Sequence, residues 1–141
     1  MSLAGLAATF TAGLKSLKRT TPRAMEEACR IVQLESKEVL GTYEYGWPRL
    51  AAATIKRKGK DTPLIETGEM RTTIQFTVQA GGLLGHAVGF VGSNSPKAVW
   101  HELGTPTIPP RSFLAMALKT REKEVVAHLG RSIVKSMLLP P

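Results

Sequence analysis

The chain has 141 residues, of which 43% are hydrophobic and only 6% aromatic, with one cysteine and a formal net charge of +8. This length suits a single domain with an aliphatic core, and one cysteine excludes an internal disulfide. No segment looks like a membrane span or a signal peptide, which favours a cytoplasmic protein. Residues 1–60 carry eleven Lys or Arg against five acids, a balance that permits contact with nucleic acid or another polyanion.

Apolar residues at helical spacing predict two N-terminal helices within residues 1–45. The first helix carries a stripe of apolar residues spaced three or four apart: Leu3, Leu6, Phe10, Leu14 and Leu17. Thr21 is expected to cap the second helix, with Pro22 in its first turn, and the helix should run to about Leu40 before Gly41. Cys29 lies on the apolar side of the second helix and is expected to be a small buried hydrophobe.

Residues 46–71 form a Trp-Pro region and a basic loop. Trp47 is expected to anchor packing, and a short helical segment is predicted from Pro48 to Ile55. The loop that follows holds four basic residues: Lys56, Arg57, Lys58 and Lys60. It is either a solvated, mobile loop or a surface that contacts DNA phosphates or an acidic partner. No aromatic residue interleaves these charges, so base stacking on single strands is not indicated.

Residues 72–104 are predicted to form a small antiparallel sheet. Polar and apolar residues alternate over 72–79, which is the mark of a half-buried strand. A second strand is expected around 86–91, after a glycine-rich turn. The stretch 98–100 favours a short helix, in which Trp100 is expected to contribute to packing.

Residues 105–141 hold a Pro-Pro-Arg joint and a long C-terminal helix, which should begin near Arg111 or Ser112. Its predicted apolar side consists of Phe113, Leu114, Ala117, Leu118, Val125, Leu129, Ile133, Val134 and Met137. The order of elements is therefore two helices, a loop region, a small antiparallel sheet and a long helix. This order predicts an α+β fold in which the C-terminal helix packs on the sheet.

The sequence offers no arrangement that suggests catalysis. His101 and Glu102 resemble the start of a zinc protease motif, but the second His that this motif needs is replaced by Thr105. His86 and His128 have no spacing typical of a metal site, and no serine or cysteine lies in a nucleophile pattern. We therefore expect a non-enzymatic protein with no catalytic residue, no metal site and no cofactor. His101 is expected to be a structural histidine that hydrogen-bonds to backbone or to a carboxylate.

The stretch 101–114 is better interpreted as a joint than as a chemical site. Gly104 lets the backbone turn where a side chain would clash. The two prolines that follow stiffen the approach to the last helix, because a residue before proline avoids helical geometry. Arg111, with its fork of donors, is a candidate to pair with Glu102 or with a neighbouring subunit.

Two stretches, 46–74 and 91–118, carry short motifs in a fixed order, from a Trp followed by Leu and Thr-Ile to Ile-Pro-Pro-Arg-x-Phe-Leu. The motif residues are Trp47, Leu50, Thr54, Leu64, Thr67, Gly68, His101, Glu102, Gly104, Pro109, Pro110, Arg111, Phe113 and Leu114. This ordered set, which covers about half the chain, resembles small tailed-phage proteins of the head–tail junction. These are the phage virion morphogenesis (tail completion) family and the related head–tail connector family.

The resemblance implies a non-catalytic structural protein of a phage or prophage virion that joins head and tail or completes the tail. It implies contacts with other neck or tail proteins, a ring-shaped homo-oligomer at least on assembly, and no membrane contact. The protein would lie in the host cytoplasm during assembly and then at the head–tail junction or tail end. The alternative is a double-stranded DNA-binding protein that uses the basic loop without sequence preference.

Overall fold

The computed structural model describes residues 2–82 and 85–138. Its elements are α1 (Leu3–Glu38), α2 (Ala52–Lys58), α3 (Glu69–Thr73), β1 (Ile74–Gly81), β2 (His86–Ser93), α4 (Pro96–Leu103) and α5 (Leu114–Leu138). The strands form a two-stranded antiparallel sheet on which α5 packs, which confirms the predicted α+β fold. Residues 139–141 of the predicted C-terminal region lie outside the described residues. Within the described ranges, no helix is long and apolar enough to cross a membrane.

The chain forms two compact units, each assembled from separate segments of sequence. Unit 1 contains the described residues of Met1–Arg30, Phe76–Phe90 and Glu122–Pro141. Unit 2 contains Ile31–Gln75 and Val91–Arg121. Both long helices and both strands therefore contribute residues to each unit.

The N-terminal region is one continuous helix of 36 residues, so the prediction of two helices is wrong. Thr21 is not a cap, because it lies inside α1 together with Pro22. Pro22 lacks a backbone donor and leaves the carbonyl of Lys18 without its helical partner, yet the helix continues through it. Leu17 and Met25 are eight residues apart, so the apolar stripes on either side of the proline stay in phase.

The basic segment is mostly helical, which corrects both the predicted helix Pro48–Ile55 and the predicted loop. Ala51 is extended, with ψ of 145°, so α2 begins only at Ala52. It continues through three of the four basic residues and ends where Gly59 adopts a left-handed conformation with φ of 71°. Only Lys60 of the four lies in the loop.

β1 begins at Ile74, two residues later than the alternating pattern predicts. Thr72 and Thr73 belong to α3 instead, and their hydroxyls each donate to a backbone carbonyl three residues earlier, at 2.7 Å. Such local bonds compete with strand pairing and explain why the pattern misplaces the boundary. The second strand and the short helix are confirmed, as β2 and α4.

The core of unit 2 is a cluster of buried side chains: Val39, Leu40, Trp47, Leu64, Met70, Ile74, Ala98 and Phe113. The ring of Trp47 meets that of Tyr45 edge-on, with centroids 5.6 Å apart. The predicted packing role of Trp47 is therefore confirmed, since its side chain is only 8% exposed. Trp100 is 49% exposed, so its predicted packing role is wrong.

Both long helices expose apolar residues that their spacing assigns to a covered face. The exposed residues are Leu3, Leu6 and Phe10 on α1 and Leu118, Val134 and Met137 on α5. Periodicity identifies an apolar face but does not identify what covers it. Leu3, Leu6 and Phe10 are three and four residues apart and so share one face of α1, and an exposed apolar patch is typical of surfaces that bind another protein.

In unit 1, β2 lies so close to α1 at Gly89 that no side chain fits there. A Cβ at this position would clash with Sγ of Cys29 and would lie 3.0 Å from Sδ of Met25. Cys29 is 5% exposed, which confirms its expected role as a small buried hydrophobe. Burial, followed by the charge of Glu26, raises the pKa of its thiol.

Gly89→Ala is expected to lower the free energy of unfolding by about 1–3 kcal/mol, because the added methyl overpacks this contact. Urea unfolding followed by circular dichroism measures the change. The double variant Gly89→Ala/Cys29→Ala removes the clashing sulfur and should recover part of the loss. Strictly additive effects of the two substitutions would contradict the close approach.

Candidate functional site

The motif residues of the joint fold into a closed loop between α4 and α5. Gly104 ends α4 with φ of 78°, and a Cβ there would lie 3.0 Å from the backbone N of Pro110. The amide of Thr105 donates to the carbonyl of Ile108 at 2.8 Å, and the amide of Arg111 donates to the carbonyl of His101 at 2.7 Å. The predicted turn at Gly104 is thus present, and it brings Arg111 back against α4.

Glu102 holds the N-terminus of α5. Its carboxylate accepts hydrogen bonds from the hydroxyl of Ser112 at 2.6 Å and from the amides of Phe113, Leu114 and Ala115 at 2.8–2.9 Å. The first amides of a helix have no partner within it, and its dipole favours a negative charge there. Glu102 therefore acts as a helix cap supplied from another element, and α5 begins at Leu114 rather than near Arg111.

Arg111 bonds to backbone carbonyls and not to Glu102. Its Nε and Nη2 donate to the carbonyl of Pro48 at 3.1 and 2.8 Å, and Nη2 also donates to the carbonyl of Arg49 at 3.3 Å. The side chain is 5% exposed. The predicted Arg111–Glu102 pair is thus wrong, because the carboxylate is already occupied by the helix amides. Arg111 instead ties the joint to the Trp-Pro region.

Half of the motif residues line one pocket of unit 2, which we call the cationic pocket. Its motif residues are Leu50, Thr54, Leu64, Thr67, Gly68, His101 and Arg111, and its volume is about 140 Å³. Its other charged residues are Arg57, Lys58, Lys97, Glu66 and Glu69. Trp47 and Phe113 lie instead in the hydrophobic core, with Leu114 packed against it.

His101 carries a buried nitrogen without a partner. Its Nδ1 is inaccessible to solvent and makes no hydrogen bond within the described residues. The expectation that His101 is satisfied by backbone or a carboxylate is therefore wrong at this atom. Burial, and then the positive charges of Arg111, Lys58 and Lys97, lower the pKa of the imidazole.

The four predicted basic residues divide into two pairs. Arg57 forms an ion pair with Glu66 at 2.6 Å, and its hydrogen bond and charge lower the pKa of that carboxyl. Lys58 donates from Nζ to the carbonyl of Thr62 at 2.7 Å, and burial lowers its pKa. Lys56 and Lys60 are exposed. Two of the four charges are thus engaged within the chain.

The sequence patterns do not predict the buried network around Glu35. Glu35 is 5% exposed, accepts a hydrogen bond from the Tyr45 hydroxyl at 2.7 Å and pairs with Arg121 at 2.7 Å. Burial alone would raise the pKa of Glu35, but the hydrogen bonds from Tyr45 and Arg121, with the charge of Arg121, hold it below its ordinary value of 4.5. Burial, followed by the bond to Glu35, raises the pKa of Tyr45 to about 12.

Glu35 is expected to make stability depend on pH in the acid range. Because its pKa is lower in the folded chain, its contribution is fully present above the unfolded value near 4.5 and is lost as pH falls through the folded value. The measurement is the difference in unfolding free energy between the wild type and Glu35→Gln from about pH 7 to about pH 3. The difference should shrink on acidification, and a constant difference would contradict the network.

No group of three or more His, Cys, Asp or Glu side chains that could hold a metal ion is found in the part of the chain that the structure describes. The pocket's charged groups are instead suited to binding an anion. In comparisons with protein-family models, curated proteins and solved structures, the chain matches no family model, no curated protein and no solved structure.

Proposed function

We propose that the chain is a non-catalytic structural protein of a phage or prophage virion that acts in head–tail joining or tail completion. The observation that carries the proposal is the ordered motif set from Trp47 to Leu114. In the structure these residues all lie in unit 2: some form its core, one caps α5, half line the cationic pocket, and Gly104, Pro109 and Pro110 belong to the joint. Most of these residues have structural roles, which agrees with a protein that works by contacts with other proteins.

Exposed apolar groups support assembly with other chains. The N-terminal part of α1 exposes Phe10 at 67% and Leu3 at 84%, and β2 exposes Phe90 at 51%. Both strands of a two-stranded sheet are edge strands, whose free backbone groups can pair with another chain. A ring would use such surfaces in a head-to-tail interface that closes on itself.

The proposal is tested by deleting the gene from the phage or prophage and examining the lysate by electron microscopy. Separate heads and tails, or tails with faulty ends, are the expected result, because the remaining components assemble but do not join. Expression of the wild-type chain from a plasmid should restore complete virions. Complete virions in the uncomplemented deletion lysate would overturn the proposal.

Sequence-neutral DNA binding is the second candidate, favoured by the +8 charge and by the exposed Lys56 and Lys60. Binding through these residues should fall steeply with salt, since each neutralised phosphate releases counterions. Retention on double-stranded DNA is measured at low and high salt for the wild type and for Lys56→Ala/Lys60→Ala. No retention at low salt would exclude this candidate.

A further inference from the structure

The cationic pocket brings together charges from distant parts of the chain. Arg57 and Lys58 end α2, Lys97 lies in α4, and Arg111 belongs to the joint. Two carboxylates also line it, and Glu66 is already paired with Arg57. The positive charges therefore outnumber the negative ones, and neither Lys97 nor Arg111 has a carboxylate partner among the residues that the structure describes.

The state of Arg111 and His101 indicates that the pocket lacks a negative group. Arg111 is 5% exposed and bonds only to carbonyl oxygens, which carry no full charge to balance its own. Buried cations in proteins are normally paired. His101 lines the same pocket and has a buried Nδ1 without a partner, a state that costs free energy and calls for an explanation. An oxyanion in the pocket would neutralise Arg111 and would favour protonation of His101, whose imidazole lies among positive charges.

The size of the pocket limits what can fill it. Its volume of about 140 Å³ is below the roughly 300–1,000 Å³ that is typical of sites for drug-sized ligands. It suits one carboxylate or phosphate group and is too small to enclose a whole nucleotide. The recessed position of Arg111 favours a group at the end of a protruding side chain over a phosphate held flush in a DNA duplex.

We propose that the cationic pocket binds one carboxylate group, presented by an acidic side chain of another protein chain. Lys97 and Arg111 supply the positive charge, and His101, which also lines the pocket, senses the charge of the bound group. The identity of the occupant, an acidic side chain of another protein, rests on the assembly function proposed above. The binding of an oxyanion by the pocket does not depend on that function. Docking would then join a negative side chain to the same unit that positions the start of α5.

The test is a titration of the isotope-labelled full chain with sodium acetate, against sodium chloride at equal ionic strength, followed by the nuclear magnetic resonance signals of the His101 ring. Acetate should shift these signals saturably and raise the pKa of His101, whose imidazole otherwise faces Arg111, Lys58 and Lys97. Arg57, Glu66 and Glu69 complete the charged lining. Absence of a saturable shift would overturn the proposal.

Lys97→Ala is the informative variant, because Lys97 is exposed and lies outside the core. Losing its charge should weaken acetate binding about tenfold, the effect of one charge-assisted hydrogen bond. The matched control is Lys119→Ala, an exposed lysine on α5 that does not line the pocket. Equal acetate affinity in Lys97→Ala and the wild type would overturn the proposal.

Inorganic phosphate forms the second arm of the titration. Similar or weaker binding of phosphate supports a carboxylate occupant, whereas binding at least about tenfold tighter than acetate would overturn it in favour of a phosphate-bearing ligand. The result of the acetate titration can be distinguished from the result of the gene-deletion test of the assembly function. If the chain restores virions but does not bind acetate, only the anion-binding role of the pocket is refuted. If the chain binds acetate but the lysate of the gene deletion already contains complete virions, the proposed occupant is refuted.

Discussion

Arg111→Ala is expected to lower the free energy of unfolding by about 3 kcal/mol, as removal of a charged, buried hydrogen-bonding group does. The guanidinium makes three hydrogen bonds to the carbonyls of Pro48 and Arg49. These bonds link the joint to a segment more than sixty residues earlier in the chain. Truncation would leave the carbonyl of Pro48 without its two donors and remove a buried side chain.

Chemical unfolding of Arg111→Ala, Arg111→Lys and Lys119→Ala measures this effect. Arg111→Lys should lie between the wild type and Arg111→Ala, because an ammonium keeps the charge but cannot reproduce the planar fork of donors. Lys119 is exposed, and its truncation should change stability by no more than about 0.5 kcal/mol. Wild-type stability in Arg111→Ala would contradict the structural role assigned to this arginine.

Glu102→Ala is expected to lower the free energy of unfolding by about 2–3 kcal/mol, because it removes a helix cap and leaves partly buried donors without an acceptor. Its carboxylate serves one hydroxyl and three amides at the start of α5. No other carboxylate is bonded to these amides in the described residues. The first turn of α5 should therefore lose order, and with it the position of Phe113.

Hydrogen exchange of the Phe113, Leu114 and Ala115 amides distinguishes this cap from a general loss of stability. Protection of these amides should fall more than protection in the middle of α5. Glu102→Gln should lose less stability than Glu102→Ala, since its amide oxygen can still accept one or two of the bonds. Truncation of the exposed Glu122 on the same helix is the control. Unchanged protection at the start of α5 in Glu102→Ala would contradict the cap.

Local signals in the sequence predict much of the fold. The strands and the short α4 follow from alternation, glycine-rich turns and proline, and the α+β class follows from the order of the elements. Trp47 and Cys29 are predicted as packing groups and are buried, because large aromatic and small apolar side chains are favoured in cores. The turn at Gly104 is also predicted, since a glycine between a helix and a proline-rich segment is a strong local signal.

What the sequence does not predict depends on contacts between distant residues. Pro22 breaks a helix by local rules, yet α1 continues through it, with the apolar stripes on its two sides in phase. Glu102 and Arg111 are nine residues apart and of opposite charge, but each finds partners elsewhere, in amides and in carbonyls. Lys97 and Lys58 both line the cationic pocket although they are 39 residues apart, and no spacing in the sequence relates the two.

The most direct test of the assembly function is complementation in vitro. Heads and tails are purified from the deletion lysate and mixed with the purified chain, with buffer alone as the control, and the infectious titre is measured. The chain should raise the titre, and electron microscopy should show joined particles. A deletion lysate already containing complete virions at wild-type titre, or no rise in titre on adding the folded chain, would contradict the assembly function.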